Sequence, residues 1–176
     1  MAGLYLLFFS AMVFTTVLVT NSDPTDPTVG YVRDLRTAGQ DEYQRAEEYI
    51  TNNALFYCNI CDTYVIEGSK HCSICNRCCA EFDHHCRWVR NDIGRLNYVL
   101  FLRMLIFVAV TLLLQVILCM VTLTCDRRYL EGGFIDPLQL EILNGVTLVL
   151  DLLFFSLVTY LLIYHAMLMN RNMSTF

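Results

Sequence analysis

Seven of the nine cysteines and three of the four histidines in this chain fall between Cys58 and Cys86, and their spacing is that of metal ligands. The block opens with Cys58-x2-Cys61 and, ten residues on, continues as Cys72-x2-Cys75-x2-Cys78, with His71 beside Cys72. It closes on Asp83-His84-His85-Cys86. A Cys-x2-Cys knuckle curls the backbone so that both sulfurs reach one tetrahedral ion at ~2.3 Å, and zinc suits thiolate and imidazole donors. Paired cysteines mixed with histidines read as metal ligation in a reducing compartment rather than as a secreted disulfide framework. The block is therefore expected in the cytosol.

Ligand counting carries the chemistry further. Seven cysteines and three histidines offer ten donors, whereas two closed tetrahedral sites consume only eight. At least two are spare. A thiol and an imidazole left over within a residue or two of each other, with a carboxylate close by, supply a nucleophile, its base and an orienting acid. Spacing alone does not say which residues are spare.

The elements that position this block are membrane helices. Hydrophobic residues make up 56% of the 176 residues, and the mean hydropathy of +0.46 is too apolar for an ordinary soluble domain. They concentrate in three stretches, Gly3 to Thr20, Tyr98 to Thr124 and Ile142 to Met169, each near the ~20 residues that cross ~30 Å of hydrocarbon as a helix. No Lys or Arg precedes Arg33, so the first stretch lacks the basic region of a secretory signal and reads as a membrane helix. Thr20-Asn21-Ser22-Asp23-Pro24 marks its exit. Between Gly39 and Asn53, Tyr43, Ala46, Tyr49 and Ile50 fall at helical spacing and suggest a short amphipathic helix.

Charge sets the orientation. Residues 21–97 hold eight Lys or Arg, whereas the loop after the second span has Arg127 and Arg128. The positive-inside bias places the cysteine block and the C-terminus on the cytosolic side. A net charge of -5 with mixed signs along the chain gives no basic face for nucleic acid. Within the spans, Arg103 is expected to snorkel, Gln115 and Cys119 to pack against a neighbouring helix, and Asp151 to require a packing partner. His165 is expected at the interface. No repeat or low-complexity segment appears elsewhere. The predicted fold is an α-helical integral membrane protein with three transmembrane helices and a cytosolic zinc-binding domain between the first and second. Its boundaries are a helix at 1–20, a linker at 21–57, the zinc domain at 58–97, a helix at 98–124, a luminal loop at 125–141, a helix at 142–169 and a tail at 170–176.

From Cys58 through Asp83-His84-His85-Cys86-x-Trp88-x2-Asn91-x2-Gly94-x2-Asn97-x3-Phe101, the chain resembles the cysteine-rich domain of the DHHC protein S-acyltransferases, the palmitoyltransferases. Members of that family have at least four membrane helices, with this domain on the cytosolic side between the second and third. The resemblance implies that the three spans here correspond to the second, third and fourth, so that the first helix and the C-terminal tail are expected to be missing. Asp23-Pro24-Thr25 stands where the family has Asp-Pro-Gly, and Ser174-Thr175-Phe176 resembles the start of its Thr-Thr-x-Glu motif.

By position, the resemblance implies one structural zinc on Cys58, Cys61, His71 and Cys78, and a second on Cys72, Cys75, His85 and Asp92. The family normally has a cysteine in place of Asp92. A carboxylate can bind zinc but is a harder donor than thiolate. Ile66-Glu67-Gly68 replaces a Pro-x-Arg of the family and Arg87 replaces a proline, while Cys79 is an extra thiol, read as packed or as a secondary acylation site. The same carry-over makes Cys86 the nucleophile toward a fatty acyl-CoA such as palmitoyl-CoA, His84 its base and Asp83 the residue that orients His84. Arg87, Arg90 and Arg95 are candidates for the CoA phosphates.

The implied substrates are proteins with cytosolic cysteines, and the implied setting is the ER, Golgi or plasma membrane. A membrane suits the donor, because burial favours an acyl chain by ~0.8 kcal/mol per CH2. The alternative within the family is a catalytically impaired, membrane-anchored zinc scaffold. A zinc-dependent ubiquitin ligase fails on spacing, for lack of a second distant Cys-x2-Cys pair.

Overall fold

The computed structural model describes residues 2–29, 41, 42, 44, 45, 48, 56–124 and 136–171. Three helices, α1 (Ala2–Asn21), α2 (Tyr98–Thr124) and α3 (Pro137–Asn170), are long and apolar enough to cross a membrane. In hydrocarbon every backbone polar group must be satisfied internally, which a helix achieves by itself. The hydroxyls of Ser10, Thr15, Thr111 and Thr122 follow the same rule, each donating to the carbonyl oxygen four residues back. Helix α3 begins earlier than its apolar run. Residues 137–141, expected in a loop, are helical because Asp136 Oδ1 caps the Leu138 N–H at 2.8 Å. Pro137 then opens the helix where its missing N–H costs nothing.

The chain divides into two compact units. The first comprises Met1–Thr15 and Leu102–Met167. Phe8 and Phe107 meet within it at a centroid distance of 6.2 Å. His165, expected at the membrane interface, is buried within the unit, at 1% exposure, with its ring edge-on to Tyr164 at 5.9 Å. Gln115 Nε2 donates to Cys119 Sγ at 3.9 Å within α2. Asp151, for which a packing partner was expected, has a buried Oδ2 without a hydrogen bond. Arg103 is exposed.

The second unit comprises Thr16–Phe101 and Leu168–Phe176. Its centre is three antiparallel hairpins in series: β1 (Phe56–Cys58) with β2 (Thr63–Val65), β3 (Lys70–Cys72) with β4 (Arg77–Cys79), and β5 (His84–Cys86) with β6 (Asn91–Ile93). The pairs Cys58↔Thr63, Cys72↔Arg77 and Cys86↔Asn91 close the three turns and recur every 14 residues. Each turn ends on a left-handed residue, Asp62 (φ 52°), Asn76 (φ 51°) or Arg90 (φ 48°). Asp and Asn tolerate that region, whereas Arg90 has no short polar side chain to compensate for it. Three-residue strands in separate two-stranded sheets are marginal on their own. Something must cross-link them.

Part of the linkage is protein. Asp26 is buried, and its Oδ2 accepts from the Ile66 N–H at 2.9 Å and the Ser69 hydroxyl at 2.6 Å. The Asp26 N–H donates to the Cys78 carbonyl and the Ala80 N–H to the Pro24 carbonyl, at 2.9 and 3.1 Å, so the segment after α1 is laid along β4. Gly94 passes so close to β4 that a Cβ there would sit 2.5 Å from Cys79 Sγ and against the Ala80 carbonyl oxygen.

Asn91 ties hairpin β5–β6 to the end of α1. Its amide donates to the Val19 and Ser22 carbonyls at 2.8 Å each, and its Oδ1 accepts from Arg77 Nη2 at 2.7 Å and from the Asp92 N–H at 2.9 Å. Val19 lies in the last turn of α1, where its carbonyl also accepts from the Ser22 N–H and hydroxyl at 3.3 and 2.7 Å, and Ser22 is the first residue past the helix. Asn91→Ala is expected to cost on the order of 3–5 kcal/mol, since several buried groups lose their partners at once. Thermal denaturation in detergent should show the loss as an earlier transition.

Of the amphipathic helix expected between Gly39 and Asn53, residues 41, 42, 44, 45 and 48 are helical and exposed. Tyr43, Ala46, Tyr49 and Ile50, which define its apolar face, lie outside the described residues, as do residues 125–135 and 172–176.

Candidate active site and metal centres

The hairpins bring the donors together in two sets of four. In one, Cys58, Cys61, His71 and Cys78 each place a ligand atom within 4.8 Å of the others, and in the second Cys72, Cys75, His85 and Asp92 do the same. The first set holds His71 Nδ1 at 3.8, 3.3 and 3.9 Å from the sulfurs of Cys58, Cys61 and Cys78. In the second, His85 Nδ1 lies 3.8 Å from Cys72 Sγ, 3.4 Å from Cys75 Sγ and 2.8 Å from Asp92 Oδ1. A tetrahedral zinc with bonds of ~2.3 Å to sulfur and ~2.0–2.1 Å to nitrogen sets sulfur–nitrogen edges of about 3.6 Å. The sulfur–nitrogen edges of both sets match that size, whereas the 2.8 Å between His85 Nδ1 and Asp92 Oδ1 is a hydrogen-bond distance, shorter than the ~3.3 Å that a tetrahedral ion would set between nitrogen and oxygen.

Strand register explains the two sets. His71 stands opposite Cys78 on β3–β4, and His85 stands opposite Asp92 on β5–β6. Each set therefore takes two thiols from one turn and an opposed pair from the next hairpin. An ion in each would supply the cross-links that the separate sheets lack.

The donor chemistry also fits a cation. Asp92 is fully buried, and its Oδ2 has no hydrogen bond. Burial, and then the adjacent Asp92 carboxylate, push the Cys75 thiol up to about 12, the mark of crowded acids without a counter-charge. A bound divalent ion reverses that situation and deprotonates its thiols outright.

Cys86 occupies the third knuckle. Its equivalents 14 and 28 residues earlier, Cys72 and Cys58, belong to the donor sets, but the position three residues on, Cys75 or Cys61 in those turns, is Val89 here. Without a second knuckle thiol, Cys86 is left out of both sets. Its surroundings still act as a knuckle. Burial disfavours the thiolate, yet a hydrogen bond from His84, the amides of Val89 and Trp88, and the His84 charge together hold Cys86 below the ordinary thiol range. The amides of Cys61 and Ile60 serve Cys58 in the same way.

His84 links the thiol to a carboxylate. Its Nδ1 is 2.8 Å from Asp83 Oδ2, which leaves Nε2 for Cys86. Burial opposes the imidazolium, but hydrogen bonds with Asp83 and Cys86 and their charges outweigh it and raise His84 to about 9. The ring sits edge-on to Phe101 at 5.4 Å, and Asp83, 4% exposed, donates its N–H to the Ile93 carbonyl at 2.9 Å. The thiolate and the imidazolium thus each stabilise the other, on a strand held by β6.

Of the basic residues, Arg87 and Arg90 are exposed on the turn that carries Trp88, while Arg95 pairs with Glu81 at 3.1 Å. Cys79 is a packed thiol with no exposure, pushed up to about 12 chiefly by burial. Sequence reasoning missed Asp26 and Arg77, which position the hairpins, and had Asn91 only as a motif position without that role. It also missed the 14-residue repeat inside the cysteine block, the signal that separates Cys86 from the other thiols.

A paired thiol and imidazole on a cysteine-rich hairpin module, followed directly by a helix long enough to cross a membrane, defines the class of this protein. The family model described as DHHC palmitoyltransferase matches residues 51–176, and the chain belongs to that family. Among curated relatives, Protein S-acyltransferase 8 of Arabidopsis thaliana is 35% identical over 102 residues, covering 54% of this chain and 25% of the relative. Palmitoyltransferase ZDHHC8 of Drosophila melanogaster is 32% identical over 133 residues, 76% of this chain and 14% of the relative. Palmitoyltransferase ZDHHC18-A of Danio rerio is 28% identical over 182 residues, 93% of this chain and 38% of the relative. The chain thus spans well under half the length of each.

Proposed function

We propose that this protein is a protein S-acyltransferase that moves a fatty acyl group, palmitoyl in the first instance, from acyl-CoA to cysteine thiols of substrate proteins. The observation that carries this reading is the Cys86 thiol hydrogen-bonded to His84, whose other nitrogen is 2.8 Å from Asp83. The Cys86 thiolate attacks the thioester carbonyl, and the carbon–sulfur bond to CoA breaks. The His84 imidazolium gives its proton to the departing CoA thiolate, leaving an S-acyl-enzyme and a neutral imidazole. That imidazole then takes the proton of a substrate cysteine, whose thiolate attacks the acyl group and returns Cys86 to its starting state. Asp83 holds the ring and stabilises its charged form.

Two zinc ions, one on each set of four donors, would be structural, since protein atoms fill each tetrahedron. Arg87 and Arg90, exposed on the turn after Cys86, are the candidates for the CoA phosphates, and Arg95 would have to leave Glu81 to join them. The hairpin module faces the cytosol, where acyl-CoA and reduced thiols are found, and the protein resides in the ER, Golgi or plasma membrane.

The test is autoacylation of the full-length protein with labelled palmitoyl-CoA, compared with Cys86→Ser. Hydroxylamine-sensitive label on the parent and none on the variant is the expected result. A parent that retains its metal but takes no label would overturn the enzymatic reading in favour of a zinc scaffold.

A further inference from the structure

The second donor set differs from the first in one ligand, and that ligand has a rival. Asp92 Oδ1 is held 2.8 Å from His85 Nδ1, whereas Oδ2 is buried without a hydrogen bond. Facing Oδ2 at 3.7 Å is Arg77 Nε, also buried and also without one. The ends of the guanidinium fork are anchored, Nη1 to Asp23 Oδ1 at 3.0 Å and Nη2 to Asn91 Oδ1 at 2.7 Å. Nε is thereby fixed toward the carboxylate. A shift of about 0.8 Å would bring 3.7 Å to the ~2.9 Å of a normal N–H···O bond.

We propose that the second centre is an exchangeable zinc site in which Asp92 passes between the metal ion and Arg77. It releases its ion under conditions that leave the first centre filled. This rests on the reading that both donor sets bind zinc.

Three physical effects point the same way. The two sets carry equal formal ligand charge, three thiolates in one and two thiolates with a carboxylate in the other. Among the described residues, the second alone has a guanidinium beside it, which opposes a divalent cation. Carboxylate oxygen is a harder donor than sulfur. The ion-free states also differ. Loss of metal lets the thiolates of both sets take up protons and become neutral, whereas the Asp92 carboxylate of the second set would stay buried and charged, and Arg77 takes it over. The lowered cost of the empty state weakens binding.

Release would reach the nucleophile. Asp92 lies between Asn91 and Ile93, the register partners of Cys86 and His84, and His85 sits between those two on β5. Emptying the second centre therefore frees both strands of the hairpin from the Cys72–Cys75 turn, and acylation becomes responsive to free zinc.

The test uses the full-length protein in nanodiscs, titrated with a graded chelator, with ions counted by native mass spectrometry and cysteines alkylated and mapped by peptide. The expected result is two steps separated by about 10–100-fold in chelator. Cys72 and Cys75 should become reactive in the first step, and Cys58, Cys61 and Cys78 only in the second. Asp92→Cys should merge the steps, and Arg77→Met should narrow the gap by removing the rival. If Arg77→Met fails to fold because Asp23 and Asn91 lose their partner, the parent and Asp92→Cys decide the matter. Two ions lost together from the parent, with all five thiols reacting in one step, would overturn the exchangeable centre alone. A parent holding one ion or none from the outset would overturn the two-zinc reading beneath it.

Discussion

His84→Ala is expected to slow autoacylation of Cys86 at neutral pH by ~10²–10⁴-fold, the usual contribution of a positioned acid–base group, with both donor sets still metal-loaded. The sign of the pH dependence follows from the two shifts. Cys86 is held below the ordinary thiol range and His84 is raised to about 9. Below the Cys86 pKa the thiol is protonated and the rate falls. Between that value and about 9 the thiolate–imidazolium pair persists and the rate is flat. Above it, His84 has no proton to give the departing CoA.

Without His84, burial alone acts on the thiol together with the knuckle amides, and its pKa returns to at least the free-cysteine region of ~8.5. The acid limb should therefore move upward in the variant. Burst rates of acylation measured across pH with saturating palmitoyl-CoA check this, and an acid limb that stays where it was in the parent would remove His84 from the reaction.

Cys78→Ser is expected to have the largest effect on stability. Cys78 has no exposure, packs with Val29 and Val65, and stands opposite His71 in the first donor set. Apparent binding energies of ~10–16 kcal/mol for structural zinc in small domains match or exceed the ~5–15 kcal/mol by which an ordinary domain is stable. The variant should lose one ion and the cooperative unfolding of the first two hairpins. Cys79→Ala, one residue along and equally buried, should keep both ions and cost only a few kcal/mol, as expected for deleting a packed side chain. Metal counting and thermal denaturation of the pair separate a ligand from a merely buried thiol, and equal losses from both would contradict the assignment.

How far the site is legible in the sequence varies by residue. Cys58, Cys61, Cys72 and Cys75 declare themselves, because a knuckle is a local turn whose ligand spacing is short. His71, Cys78, His85 and Asp92 follow from resemblance, but their reason is register, which places His71 against Cys78 and His85 against Asp92. Cys86 is one thiol among seven until the 14-residue period shows Val89 where its knuckle partner should be. Arg77 has no signature and Asn91 shows only as a motif position without a reason, since their partners Asp23, Val19 and Ser22 lie more than fifty residues away. The start of α3 at Pro137 was hidden for another reason. Its first turn is polar, so the apolar run begins later than the helix that Asp136 caps.

The chain's own order of residues determined the three membrane-length helices and the presence of soft metal donors, because apolar length and knuckle spacing are local properties. Tertiary structure decided which donors share a centre, which thiol is left unclaimed, and that Asp92 faces both an ion-binding set and Arg77. Those outcomes depend on pairings through space between hairpins and across long loops, where charge, burial and distance act, and sequence spacing contributes only the 14-residue period that sets Cys86 apart.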